Sequence, residues 1–238
     1  MNAAIVTVGD ELLSGDTPNT NATWLGERLA ERGVSVKRML TVPDETDVIA
    51  DAVRRYSDSF DAVVVTGGLG GTPDDITVES VAAAFGRELV EDELARADVE
   101  KHLESVAHKY EELNVDVAAE ARLPEGARPL LNRAGMSPGC VLENVYVLPG
   151  IPSEMERMFE DIAEEFEGEE SARYLYTEEP EANLIGHLDE VRERFGVHVG
   201  CYPDREAGHN RLKIRGSNGD ALAEAEAWLT ERIVLIEG

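Results

Sequence analysis

Two spacings of apolar residues alternate along this chain, and the alternation predicts its architecture. Residues 3–8 form a short apolar run of the kind found in a strand buried on both faces. Over residues 22–32 the spacing becomes helical, with Trp24, Leu25, Leu29 and Ala30 on one face and Gly33 as a C-cap. Residues 34–42 alternate as a second strand and end at Pro43-Asp44-Glu45. Residues 46–56 follow as a helix, with Val48, Ile49, Ala52 and Val53 apolar. Residues 61–65 form a central strand, and residues 76–85 an amphipathic helix. Strand and helix repeated three times predict an α/β fold with a parallel sheet.

The second half is less regular. Residues 91–114 read as a long charged helix with a sparse apolar face (Leu94, Leu103, Val106, Tyr110), and residues 115–123 as a candidate continuation. Residues 122–127 and 130–139 carry turn residues and read as loops. Residues 140–142 and 144–148 form a hairpin around Glu143-Asn144, and Ser153 is placed to cap a helix over 154–166. A Gly/Glu break at 167–170 marks a boundary between a domain at 1–168 and a small α+β domain at 169–238. In the latter, strands are expected at 172–176, 197–202 and 211–215, helices at 181–195 and 220–232, and a terminal strand at 233–236. Two helices on a small sheet close such a module.

Composition changes this picture in three ways. Hydrophobic residues make up 42% of 238 but aromatics only 5%, so the core must be aliphatic. No apolar run approaches the ~20 residues that span a bilayer, and the N-terminus lacks the basic region of a signal peptide, so a cytoplasmic protein with no membrane partner is expected. The formal net charge is −27, from 49 acidic and 22 basic residues spread along the chain. That balance argues against nucleic acid as a partner. It fits a folded protein solvated in concentrated salt, which screens self-repulsion, and so a salt-adapted source. Cys140 and Cys201 match no metal spacing and are expected to be buried and unpaired. The five histidines also fall at spacings that suit no metal site.

The candidate chemistry sits in loops after the strands. Thr66-Gly67-Gly68-Leu69-Gly70-Gly71-Thr72-Pro73-Asp74-Asp75 follows the central strand and opens a helix. Gly67, Gly68, Gly70 and Gly71 let backbone N–H groups approach a ligand, and a helix start suits phosphate. Glycine alone is equally consistent with a plain tight turn; the Asp74-Asp75 ending favours phosphate with a divalent metal. Asp10 and Glu11 lie in a second glycine-bracketed loop, at 9–15. Asn21 is either the N-cap of the following helix or a ligand contact at the same helix end, and Asp44 likewise a cap or a site residue. Gly150, in Pro149-Gly150, adds a fourth loop. Ligands of such sheets bind at the carboxyl ends of strands, where these loops converge.

These loops resemble one family. Gly9-Asp10-Glu11-Leu12-Leu13 with Gly15, Asn19-Thr20-Asn21 with Trp24-Leu25, residues 66–75, and Leu148-Pro149-Gly150 with Pro152-Ser153-Glu154-Met155 are similar to CinA proteins (competence/damage-inducible protein A). More broadly they resemble the molybdopterin-binding domain shared with molybdopterin adenylyltransferases. The resemblance covers about residues 1–166, and the remainder is similar to the small domain that follows in CinA proteins. It implies a three-layer α/β/α domain with a mostly parallel sheet, and a metal-dependent pyrophosphatase of ADP-ribose-like dinucleotides, or in the adenylyltransferase branch a site for molybdopterin and ATP. Asp44 and Asp75 match that branch's motif aspartates, and so become the leading catalytic and metal-binding candidates, with Mg, Mn or Co as the ion. Thr72 is expected to donate to a phosphate. Asp10, Glu11 and Asn21 are expected to line the opposite wall. Gly71 stands where CinA sequences usually have Pro, and residues 134–139 also depart from the usual pattern. The family's C-terminal deamidase domain is not expected in these 238 residues. A dimer or trimer is expected from the fold.

Overall fold

The computed structural model describes residues 1–109 and 114–236. The chain divides into two compact units, residues 1–29 with 35–166, and residues 30–34 with 167 onward.

In the first unit, β1 (Asn2–Val8), β2 (Ser35–Val42), β3 (Ala62–Thr66), β6 (Arg128–Leu130), β7 (Gly139–Leu142) and β8 (Val145–Leu148) form one sheet in the order β2-β1-β3-β8-β7-β6. β1 is parallel to β2 and β3, and β3 to β8; β7 and β6 run antiparallel beyond them. Ile5 stands opposite both Met39 and Val64, and Val64 opposite Tyr146. Ala3–Val6 and Val63–Val65 are completely buried, as unbroken apolar runs at a sheet centre must be. β2 is an edge strand and carries exposed Lys37, Arg38 and Met39.

Helices α2 (Thr20–Glu31), α3 (Thr46–Ser57), α4 (Thr77–Phe85), α5 (Glu93–Val106) and α7 (Pro152–Ile162) accompany the sheet. The layered, mostly parallel α/β fold is therefore as the apolar pattern and the family resemblance predict. An aliphatic core gathers Val6, Val8, Ile49, Val53, Val63, Val65, Val81 and Val147. Aromatics are used sparingly: Trp24 meets Phe159 edge-on at 5.5 Å, and Phe159 stacks on Phe166 at 5.3 Å.

Several local expectations need correction. The segment 9–15 is not a loop but a short helix, α1 (Asp10–Ser14), bracketed by Gly9 and a left-handed Gly15. The long helix ends at Val106, followed by a 3-10 turn (Ala107–Lys109) and a short α6 (Val117–Glu120); the Tyr110 expected on its face lies outside the described residues. The loop expected at 122–127 starts with a strand, whereas 131–138 is a loop as expected, between strands at 128–130 and 139–142. β5 (Arg122–Pro124) pairs with an unforeseen β4 (Leu89–Glu91), and β6 joins the main sheet. Ser153 does not cap α7, because Pro152 at the first turn starts that helix after Ile151.

The second unit is an antiparallel sheet in the order β10 (His198–Asp204), β11 (His209–Gly216), β9 (Ser171–Thr177), with α8 (Glu181–Phe195) and α9 (Gly219–Thr230). Leu184, Val191, Leu212, Ile214, Leu222 and Leu229 form its core. The terminal strand is reduced to one bridge, Ile236 to Tyr176. Cys140 is fully buried, whereas Cys201 is only half-buried, against expectation.

Candidate active site

Parallel strands deliver their carboxyl ends to one sheet edge, and a cavity of about 440 Å³ opens there. β1 contributes Thr7–Gly9, β2 leads to Asp44, β3 leads to Thr66–Gly70, and β8 leads to Pro149–Pro152. The start of α2 closes one side with Asn19, Thr20 and Asn21.

The glycine loop is fixed by close approach. Gly67 has φ +110°, and a Cβ there would run into the carbonyl oxygen of Val8. Gly68 has φ +64°, and its Cβ would lie 2.6 Å from the buried Thr77 hydroxyl. Non-glycine residues rarely adopt such angles. The loop's amides divide into two groups. The Gly67 N–H donates to the Leu148 carbonyl (3.3 Å) and the Thr72 N–H to Asp75 (3.0 Å). The N–H groups of Gly68, Leu69, Gly70 and Gly71 have no acceptor among the described residues, a run of free donors suited to an anion.

Asp75 does not cap α4, whose N-cap is Ile76 without a side-chain bond. Its Oδ2 accepts from the Thr72 N–H at 3.0 Å and the Thr72 hydroxyl at 2.5 Å. The Thr72 hydroxyl, expected to serve a phosphate, is thus spent on Asp75. Asp44 does not cap α3 either. Its Oδ2 accepts from the Asp10 N–H (2.8 Å) at the start of α1. Each carboxylate keeps Oδ1 without a donor among the described residues, and both line the cavity.

The cap of α2 is Asn19, whose Oδ1 accepts from the Ala22 N–H (3.1 Å), so Asn21 is free for the cavity. Its Nδ2 donates to Thr66 Oγ1 (3.1 Å) and the Gly150 carbonyl (2.8 Å), and Thr66 passes a bond to the Pro149 carbonyl (2.6 Å). Its Oδ1 is buried and meets no donor among the described residues. Gly150 sits close to the glycine loop: a Cβ there would stand 3.2 Å from the Gly67 Cα, a tight contact that would press on that loop.

Of the residues singled out in the sequence, the cavity brings together Glu11, Asn21, Asp44, Gly67, Gly68, Gly70, Asp75 and Gly150. Asp10 lies outside its lining. Gly71 and Thr72 line a neighbouring cavity of about 240 Å³, together with Glu120 and Arg122. Among the described residues, five carboxylates line the main cavity (Glu11, Asp44, Asp74, Asp75, Glu154), and no Lys, Arg or His does. Arg133, in the loop after residue 130, pairs with Asp161 at 3.6 Å. Among the described residues no three His, Cys, Asp or Glu side chains form a ready metal cage.

A family profile described as "Probable molybdopterin binding domain" matches residues 4–167. A crystal structure of the protein CinA, with unknown function, from Thermoplasma acidophilum superposes with a TM-score of 0.62 at 37% identity, covering 69% of this chain and 97% of that one. The chain belongs to the CinA-like, molybdopterin-binding-domain family. A CinA-like protein of Citrifermentans bemidjiense is 43% identical over 166 residues, 68% of this chain and 39% of the relative. A protein of Archaeoglobus fulgidus is 37% identical over 227 residues, 94% of this chain and 95% of that one. Residues 170–235 match a second profile, "FAD synthase, middle domain".

This CinA-like site holds residues that sequence reasoning missed. Glu154 was visible only as part of a motif. In the fold, its carboxylate accepts from Asn132 Nδ2 (2.7 Å), and Gly135 leaves room for it. Asn132 is 2% exposed and also receives the N–H groups of Ala134 and Gly135 (3.2 and 2.8 Å). Ser137 lines the main cavity, and its hydroxyl donates to Glu120 Oε2 at 3.0 Å. Burial pushes the Glu120 carboxyl up, the Ser137 bond opposes this, and Asp75 and Asp116 add to it. No periodicity marks these residues, because each acts across long sequence separations.

Proposed function

We propose that this CinA-like chain is a metal-dependent nucleotide pyrophosphatase acting on ADP-ribose-like dinucleotides. The observation that carries the reading is the contrast within one cavity: Gly68, Leu69 and Gly70 bring free backbone N–H groups to it, and its described lining has five carboxylates and no cation. The amides suit phosphoryl oxygens, whereas the carboxylates repel them unless a cation lies between. Asp44 and Asp75 fit that ion. Each has one oxygen held by a donor and one uncommitted, and Mg²⁺ is commonly held by one or two carboxylates plus substrate phosphates rather than by a full protein cage. A bound Mg²⁺, Mn²⁺ or Co²⁺ supplies charge neutralisation and polarises the phosphoryl oxygens.

The chain's own groups do the rest. The Gly68–Gly71 amides hold phosphoryl oxygens as charge develops on them. Thr72 fixes the Asp75 carboxylate from two sides. Asn21 Oδ1 accepts from a hydroxyl or amine of the nucleoside, which supplies the donor it lacks.

The test is AMP release from ADP-ribose with each of the three ions in KCl. Release that falls at least a hundredfold in Asp75→Asn is expected. No release by the wild type, or equal rates from both, refutes the reading. A second reading, adenylyl transfer to molybdopterin or simple pterin binding, is favoured by the description of the matching family. An adenylated product from ATP and molybdopterin, or tight pterin binding without turnover, would select it.

A further inference from the structure

We propose that the 240 Å³ cavity beside the glycine loop is a second subsite, built for the sugar-phosphate half of the substrate, and that the scissile anhydride lies over Gly70 and Asp75. This rests on the pyrophosphatase reading. Gly68, Leu69, Gly70 and Asp75 line both cavities, so the loop is their common wall. A molecule occupying both would cross that shared wall, which includes Gly70 and Asp75.

The two spaces differ in size and in charge. Small-molecule sites usually measure ~300–1,000 Å³. The 440 Å³ cavity falls in this range and the 240 Å³ cavity falls short of it, so the smaller space is an annex of the larger. A nucleoside monophosphate is the larger half of ADP-ribose and ribose 5-phosphate the smaller. The larger cavity offers Asn21 Oδ1, an acceptor with no donor among the described residues, to a base or ribose. The smaller offers Arg122, the one cation in either lining among the described residues. Its guanidinium makes a single hydrogen bond, to the Leu89 carbonyl (3.1 Å), and keeps other donors for a phosphate. Glu79 and Glu120 present acceptors to ribose hydroxyls.

At Gly71 the Glu120 carboxylate comes close to the loop: a Cβ there would meet the end of the Glu120 side chain, which would have to swing aside. Ser137 in the larger cavity holds Glu120 in the smaller one and ties the two together. In the reaction, the oxygen of water bonds to one phosphorus and the bridging P–O bond breaks. The bridging oxygen leaves with the other phosphate, and the two protons of the water pass to the product phosphates or to solvent. AMP stays in the larger cavity and ribose 5-phosphate in the smaller.

Arg122→Gln tests the assignment, with Arg122→Lys as the variant that keeps the charge. Ribose 5-phosphate binding is measured by calorimetry with Mg²⁺, alongside AMP binding and steady-state hydrolysis of ADP-ribose. Ribose 5-phosphate is expected to bind Arg122→Gln about tenfold more weakly, with AMP affinity unchanged, the KM for ADP-ribose raised and partial recovery in Arg122→Lys. Unchanged ribose 5-phosphate binding, or equal weakening of AMP, overturns the subsite. Absence of hydrolysis in the wild type overturns the pyrophosphatase reading, while the calorimetry still decides the subsite.

Discussion

Asn21→Ala separates a structural residue from a ligand-binding one, because its effects on stability oppose each other. The substitution removes the hydrogen bonds from Nδ2 to Thr66 Oγ1 (3.1 Å) and to the Gly150 carbonyl (2.8 Å). Each is worth about 1 kcal/mol net. Gly150 is exposed, so its carbonyl takes water in exchange. The substitution also removes Oδ1, a buried acceptor with no donor, whose presence costs about 1–3 kcal/mol. The sum lies within about 1 kcal/mol of zero, which moves Tm by no more than roughly 2–4 °C in a chain of this size. Binding has no such offset. A ligand donor left without its acceptor costs about 1–3 kcal/mol, a roughly 5- to 150-fold rise in KM for ADP-ribose. Asn21→Asp is the complementary probe. At neutral pH it sets a carboxylate against the Gly150 carbonyl and adds a sixth acid to the cavity, so it is expected to be less stable than Asn21→Ala and to recover on acidification. Melting curves by circular dichroism at fixed KCl, with KM measured on the same samples, check both. A fall in Tm beyond about 10 °C in Asn21→Ala would make Asn21 a latch between loops. An unchanged KM would remove it from the ligand site.

Glu120→Gln should flatten the pH dependence of stability. Burial holds the folded-state pKa of Glu120 above its ordinary value, so the folded chain binds that proton more tightly than the unfolded one. Stability then falls as pH rises from the ordinary Glu range through the raised value. Urea unfolding across that window should show a smaller decline in the variant, and identical slopes would contradict the assignment. The thiols make a second case. Burial pushes Cys140 up to about 12, and burial with the Glu181 charge raises Cys201. Ellman's reagent should therefore find only slow reaction at Cys201 in the native protein and two thiols after unfolding; two fast equivalents in the native state would refute it. With a net charge of −27, Tm should rise with KCl, and highest stability at low salt would exclude salt adaptation.

The parallel core was legible because strands buried on both faces need unbroken apolar runs, and residues 3–8 and 62–65 have them. Once those strands are parallel, their following loops must share an edge, so the convergence of Glu11, Asn21, Asp44, Asp75 and Gly150 on one cavity was legible too. Pairings made by few residues at long range were hidden. β4 and β5 are three residues each and lie about thirty residues apart, too short to show a period. α1 is five residues long, and its first N–H is held by Asp44, 34 positions away. Local rules assigned the caps to the wrong residues. Asn21 and Ser153 both had capping chemistry, but Asn19 and Ile151 stand at those positions. Asn132 and Glu154 meet only through the tertiary fold.

The acid excess of the chain and the acid lining of its cavity make one joint argument about substrate access. On the proposed pyrophosphatase reading, a dinucleotide anion would approach a surface of net charge −27 and a cavity whose described lining has five carboxylates. At 0.1 M ionic strength the Debye length is about 10 Å, comparable to the reach of such a cavity, and at 1 M it is about 3 Å. Raising KCl therefore removes most of the long-range repulsion while leaving contacts at the loop amides intact. The opposite holds for a phosphate site built from Lys and Arg, where salt weakens binding. At a saturating concentration of divalent ion, the KM for ADP-ribose should fall between 0.1 M and 1 M KCl, with kcat less affected. The control is Asp74→Asn: it removes one exposed carboxylate of the lining and should lower KM at low salt more than at high salt. A KM that rises with KCl in both proteins would mean that cationic groups outside this cavity bind the phosphates, and the acid-lined cavity would no longer be the site.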